Sequence, residues 1–233
     1  MDQKEFWNRE YKTSEHLALS TESSEDLEKF TRWLERQYKR EFLNPLAKAL
    51  DLGCGNGRNL IYLAEHYGIR GIGYDISEAA IDHAEAASKD LPITYEARSI
   101  AEPLPLPDNS QTIVLDMMTS HFLKKAEREA LRAEILRVLK PGGWLFFKSF
   151  LADEDLHTKR LLKEHPADEE GAYLHPKLGF YEYTWTEEGV YEFFKEDFEL
   201  HKFNKSHRHI NRGKIGEARA GKRRTFSAYI QKF

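Results

Sequence analysis

The sequence predicts an α/β protein: a parallel sheet covered by helices on both faces. Three observations predict it. Short apolar runs at 47–52, 70–74, 93–97, 111–116 and 144–150 read as strands, and most are separated by stretches with apolar residues at helical spacing. The joints between them are short and hold Gly, Pro, Asp and Ser. Parallel neighbours need crossover connections, and those crossovers lay helices on both faces.

Residues 20–26, STESSED, are polar and acidic and read as a loop before a helix. Ser24 is a candidate cap, its hydroxyl serving free N–H groups of the first turn. Leu27, Phe30, Leu34, Tyr38 and Phe42 mark the buried stripe of a helix to Leu43, which Asn44-Pro45 ends because the residue before proline avoids the α region. The strand at 47–52 runs into glycines 53, 55 and 57, and a helix follows from Arg58 to Tyr67, with Gly68 at its C′ position. The strand at 70–74 leads to Asp75, and Ser77 caps a helix through Lys89. After the third strand, Pro103, Pro105 and Pro107 break the chain and Asp108-Asn109-Ser110 turns it into the fourth. A helix at 127–139 and a turn at Pro141-Gly142-Gly143 precede the fifth strand. Beyond Phe150 come a polar helix candidate, the aromatic stretch GFYEYTW and a helix opened by Thr186. Strand candidates at 198–203 and 225–233 read as an antiparallel pair. With no break in composition, the expectation is one domain: an N-terminal helical extension or lid (1–45), a core (46–150), an insert and helix near substrate (151–197) and a terminal hairpin (198–233).

Composition narrows the function. Of 233 residues, 40% are apolar and 32% charged, which suits a packed core with a polar surface. No apolar run is long enough to span a bilayer, and the charged start MDQKEFWNREYK does not read as a secretory signal, so a cytoplasmic protein is expected. A lone cysteine, Cys54, excludes an intrachain disulfide framework and a cysteine-rich zinc site. Net charge is −4, but residues 201–233 hold ten Lys/Arg and one acid. Such a strip can be a docking face for an anion or nucleic acid, or a basic hairpin balanced by an acidic body.

ALDLGCGNG is the most informative segment. A strand runs straight into a G-x-G-x-G turn and a helix, a geometry that lets a ligand approach bare backbone near free N–H groups. The dinucleotide fingerprint G-x-G-x-x-G would need a glycine where Arg58 stands. Asp75, 18 residues past Gly57, can accept hydrogen bonds from two ribose hydroxyls. Asp116 ends the fourth strand at the same rim, as a second ligand acid or as a plain strand-end residue.

ALDLGCGNG, then GIGYDIS, LPLPDNSQTIVLD and RVLKPGGWLFF, resembles the S-adenosylmethionine-dependent methyltransferases of the Rossmann-like class over about residues 46–150. The resemblance implies a Rossmann-like three-layer sandwich whose seven-stranded, mostly parallel sheet has an antiparallel last strand. It implies S-adenosylmethionine as cofactor, with Gly53, Cys54, Gly55 and Gly57 around its methionine part and Asp51 shaping the turn and anchoring its amine. Asp75, with Ile76 beside it, would take the ribose. Many relatives place an Asp before LP-x-PD for the adenine amino group; here Ser99 and Ile100 stand there, leaving backbone and apolar contacts. FWNREY resembles a lid segment of some relatives in which Tyr11 would touch the cofactor; ordinary core packing is the other reading of this cluster and of Phe180, Tyr181, Tyr183 and Trp185.

His121 is the candidate general base, needed only where the acceptor is protonated; a polar helix-start residue is the alternative. His207 and His209 share a strand face but lack an acid, so no metal site is expected. A small-molecule methyl acceptor is the leading expectation, on the aromatic lid and insert. RNA or protein docking on 202–224, a non-catalytic scaffold, and a nicotinamide oxidoreductase are the rivals.

Overall fold

The computed structural model describes residues 2–13, 19–153, 155–206 and 223–233. Its elements in chain order are α1 (Gln3–Thr13), α2 (Glu25–Tyr38), β1 (Lys48–Leu52), α3 (Arg58–Tyr67), β2 (Arg70–Asp75), α4 (Glu78–Ala87), β3 (Ile93–Ala97), β4 (Gln111–Met117), α5 (Lys125–Val138) and β5 (Leu139–Phe150). They continue with α6 (Leu156–Glu164), β6 (Ala172–Leu174), β7 (Tyr181–Tyr183), α7 (Glu187–Phe194), β8 (Phe198–Ser206) and β9 (Thr225–Lys232). Seven strands form one sheet in the order β3-β2-β1-β4-β5-β9-β8. Neighbours from β3 to β5 are parallel, and β9 runs antiparallel to both β5 and β8. This is the Rossmann-like sandwich that the resemblance implied.

Strand alternation sorts the core into two layers. Leu145 and Phe147 face α5 and α7, packing with Leu131, Ile135, Val190 and Phe194. Trp144 and Phe146 face the other way, onto Leu27, Phe30 and Leu34 of α2 and Leu60 and Leu63 of α3. The sheet order reverses between β1 and β4, so a crevice opens beyond their carboxyl ends. No helix among the described residues is long and apolar enough to cross a membrane.

Several boundaries differ from the sequence reading. The first long helix stops at Tyr38, not Leu43: Lys39 turns to φ 56°, and the Asn44 amide donates to the carbonyls of Arg40 and Glu41 and folds 39–46 into a turn. Ser24 does precede α2, but its hydroxyl bonds no helix N–H; its own backbone N–H donates to Asn59. Pro141-Gly142-Gly143 is a bulge inside β5 rather than a turn before it, since pairing with β4 jumps from Gln111–Leu139 to Ile113–Trp144. The aromatic stretch contains β7, which pairs with β6 in a hairpin too short to show a period of two. Caps at Ser77 and Thr186 stand as read, bonding the N–H groups of Ala80 and Gly189, and Gly68 closes α3 at φ 69°.

Candidate functional site

A cavity of about 780 Å³ lies at the carboxyl rim where the sheet order reverses. Its floor is the loop after β1. Gly53, Gly55 and Gly57 all hold positive φ, at 76°, 55° and 77°, which L side chains rarely adopt. Space forbids side chains there as well: a Cβ on Gly53 would sit 2.2 Å from Thr119 Oγ1, and one on Gly55 2.3 Å from Tyr11 Oη. The loop is pinned from beneath, because the N–H groups of Gly53 and Cys54 both donate to the Tyr74 carbonyl.

Asp75 stands at the end of β2 on the cavity wall. Its Oδ2 accepts the Gly55 N–H at 2.9 Å and its Oδ1 the Ser77 N–H at 2.9 Å. One carboxylate thus ties the glycine turn to the start of α4 and keeps a lone pair on each oxygen for a ligand. Burial raises its pKa, against the lowering effect of those N–H donors. Ile76, Ser99, Ile100 and Leu123 line the wall beside it and make a slot of mainly apolar character.

Asp51 lies behind the loop. Both its carboxylate oxygens are buried and have no hydrogen-bond partner among the described residues. Burial pushes its pKa up to about 7, only partly countered by Arg58. A buried carboxylate without donors is costly, and a cationic or water-bridged ligand group would relieve it.

The roof is α1. Asn8 Oδ1 accepts from both the Ser77 hydroxyl, at 3.0 Å, and the Ala79 N–H, at 3.1 Å, so a side chain of α1 caps α4. Trp7 and Tyr11 turn into the cavity, and burial raises the Tyr11 pKa, keeping it a phenol. Phe6 meets Phe180 of the insert edge-on at 5.0 Å, and Trp7 meets Phe122 at 5.8 Å. Roof and insert therefore share an aromatic seam. Tyr183 and Trp185 instead pack on Arg128 and Phe147, in the core.

Tyr11, Gly53, Cys54, Gly55, Asp75, Ile76, Ser99 and Ile100 are thus brought together on one cavity. Asp51 and Gly57 are not in its lining, though each is close in sequence to residues that are. Two further candidates lie outside the cavity lining. Asp116 does not line the cavity: its carboxylate accepts the Ser120 N–H at 3.2 Å and folds the turn after β4, with burial raising its pKa to about 6. His121 does not line it either. It is 3% exposed, lies against Phe122 and Phe150, and burial lowers its pKa to about 4, so the ring is a neutral member of the interior. Cys54 is buried and its thiol pushed up in pKa, as suits a filler. His207, His209 and most of the basic strip lie outside the described residues. Asn8, Asp26, Lys148, Asn204 and Ser227 escaped the sequence reading. All but Asn8 line the cavity, and no motif marks them.

The residues fit an adenosyl sulfonium cofactor: bare glycine backbone under an aromatic roof, a tethered carboxylate beside an apolar slot, and an unpartnered carboxylate behind the turn. Comparison with known proteins agrees. Residues 49–143 match the family model of a methyltransferase domain. The chain is 28% identical over 153 residues to the glycine/sarcosine/dimethylglycine N-methyltransferase of Actinopolyspora halophila, covering 63% of this chain and 26% of that protein. It is 33% identical over 108 residues to the 27-O-demethylrifamycin SV methyltransferase of Amycolatopsis mediterranei, covering 45% and 39%. The match thus spans less than half the length of these curated relatives. A solved S-adenosylmethionine-dependent methyltransferase from Methanosarcina mazei superposes with a TM-score of 0.68 at 25% identity, covering 83% of this chain and 96% of that one. Residues 49–143 are a methyltransferase domain of the S-adenosylmethionine-dependent, Rossmann-like class.

Proposed function

We propose, from that premise, that the protein transfers a methyl group from S-adenosylmethionine to a small-molecule acceptor. The observation that carries this reading is the joining of the glycine turn to Asp75 by the Gly55 N–H, on the wall of a roofed cavity. The relatives named above act, by their names, on amino acid and rifamycin acceptors, which are small molecules.

In this reading Asp75 accepts the ribose hydroxyls with the lone pairs that Gly55 and Ser77 leave open. Ile76, Ile100 and Leu123 hold the adenine by apolar contact, with Ser99 and the Ile100 N–H at its edge. Asp51 faces the amine through the turn. When bound, the cofactor supplies a methyl carbon on a sulfonium, so an acceptor lone pair forms the new bond as the carbon–sulfur bond breaks. The protein's contribution is alignment and exclusion of water, a kind of positioning worth about 7–11 kcal/mol in favourable cases. Trp7 and Tyr11 supply the roof for both tasks, and aromatic faces suit a cation. His121 is not given the base role, because it is buried outside the cavity lining and its lowered pKa makes it a weak proton acceptor.

Calorimetric titration with S-adenosylmethionine, S-adenosylhomocysteine and NAD tests the reading. Binding of the first two, with NAD silent, is the expected result. Tight NAD binding would replace the reading with a nicotinamide enzyme.

A further inference from the structure

We propose that the end of the cavity away from Asp75 is a subsite for an anionic group of the methyl acceptor, with Lys148 as the residue that recognises it. The proposal rests on the methyl-transfer reading above and names the substrate class.

The register of the sheet builds this subsite. Met117 pairs with Lys148, Lys148 with Ser227, and Ser227 with Asn204, across β4, β5, β9 and β8. Paired residues on adjacent strands point to the same face. The four side chains therefore form one row across the sheet, and all four line the cavity. The row begins beside the glycine turn and ends in polar groups. Met117 gives an apolar wall next to the methyl position; Lys148, Ser227 and Asn204 give donors farther out.

Lys148 is aimed rather than free to wander. Its Nζ lies 2.6 Å from Asp26 Oδ2 of α2, and its side chain is only 14% exposed. An ammonium has three donors; among the described residues one is used by Asp26, leaving two for a ligand. Asp26 is itself held below its ordinary carboxylate range, burial opposing and Lys148 and Lys29 prevailing. Lys29 lies over the same carboxylate at 3.5 Å and also lines the cavity. Ser227 is 4% exposed and Asn204 half-buried, so the row offers preorganised polar groups instead of mobile surface chains.

Charge decides the sign of the ligand. The described lining holds five Lys and Arg against three Asp and Glu. The bound cofactor would add a sulfonium and an ammonium against one carboxylate. The wall cations are largely balanced, with Lys29 and Lys148 on Glu25 and Asp26, Arg98 on Glu96 and Glu102, and Lys205 on Glu187, so it is the net positive cofactor that repels a cationic acceptor and draws in an anionic one. The acceptor is thus a small molecule of net negative charge, anionic through a carboxylate or phosphate, bound through Lys148, and methylated on a different atom nearer Met117.

Labelled methyl transfer from S-adenosylmethionine into an ultrafiltered metabolite extract of the source organism, with the products separated by electrophoresis at neutral pH, tests this. The labelled product should migrate toward the anode. Lys148→Met should lower its formation at least about tenfold, the loss of one charge-assisted hydrogen bond, and Lys148→Arg should restore part of it. S-adenosylhomocysteine affinity, measured by calorimetry on the same variants, should stay within about twofold, which also shows that they fold. A neutral or cationic product, or unchanged transfer by Lys148→Met, overturns the subsite. So does S-adenosylhomocysteine binding with no labelled product at all. Failure of the wild-type protein to bind S-adenosylhomocysteine would overturn the methyl-transfer reading itself, a distinct result.

Discussion

The two ends of the cavity are built by different means. The proposed cofactor end is local: the ten residues 48–57 and Asp75 at the end of β2 supply the turn, the buried carboxylate and the tethered one. The proposed acceptor end is assembled from four strands and a helix that lie far apart in sequence, with Asp26 reaching Lys148 over 122 positions. Local constructions leave motifs; assembled ones do not. On the proposed reading, the reaction type is encoded in a few contiguous residues and the acceptor in long-range packing, and substitutions should separate the two.

The largest effect should come from Asp75. Replacing it by alanine removes two charge-assisted acceptors and releases the Gly55 and Ser77 N–H groups, so S-adenosylhomocysteine affinity should fall about 100-fold by calorimetry. If Asp75→Ala weakened the transfer reaction while leaving S-adenosylhomocysteine affinity intact, the division between the two ends would break. Gly55→Ala should come next, with an affinity loss of about tenfold or more, because the new Cβ is strained at φ 55° and displaces the Tyr11 hydroxyl. A double variant with Tyr11→Phe sharpens the point: relief would show that the roof, and not the backbone alone, carries the loss.

Asn8→Ala should have a smaller effect. It removes the side-chain cap that joins α1 to α4, worth about 1 kcal/mol, or about fivefold in the closed population of the roof. Faster S-adenosylhomocysteine release in stopped-flow measurements is the expected readout, with equilibrium unfolding shifted little.

The remaining prediction is a pH dependence of stability. Asp51 has an ordinary pKa of 3.8, raised to about 7 by burial. Below pH 3.8 the residue is protonated in both the folded and the unfolded chain. As pH rises, the unfolded chain ionises first and the folded one keeps its proton, so stability falls until pH passes about 7. The unliganded protein should therefore lose melting temperature between pH 5 and 7, and Asp51→Asn should flatten part of that slope. Asp116, raised to about 6, accounts for a further part in the same direction. If a cofactor ammonium faces Asp51, binding releases a proton in this range, visible as a buffer-dependent calorimetric enthalpy. Equal enthalpies in buffers of different ionisation heat would remove Asp51 from the amine site.

The glycine turn and its tie to Asp75 were legible because their constraints are local. Positive φ at Gly53, Gly55 and Gly57 demands glycine, the strand-to-helix turn demands a short joint, and Asp75 must follow one crossover later. The sheet was equally legible, since burial of 111–116 and 144–147 on both faces writes continuous apolar runs. His121 and Asp116 fall outside the cavity lining because position after β4 puts a residue near the rim without fixing where its side chain turns. His121 folds inward against Phe150, and Asp116 is spent on the Ser120 N–H. Lys148 and Ser227 were hidden for the opposite reason. Each sits in a strand that reads as core, and only the register across β5 and β9 reveals that their row ends in a cavity.

The most direct test of the central claim is a crystal structure of the protein with S-adenosylhomocysteine. Both ribose hydroxyls should lie within hydrogen-bonding distance of the Asp75 carboxylate, with the sulfur above the glycine turn and beneath Tyr11. Density for the ligand elsewhere, or a ribose held by other groups with Asp75 bonded only to Gly55 and Ser77, would contradict it.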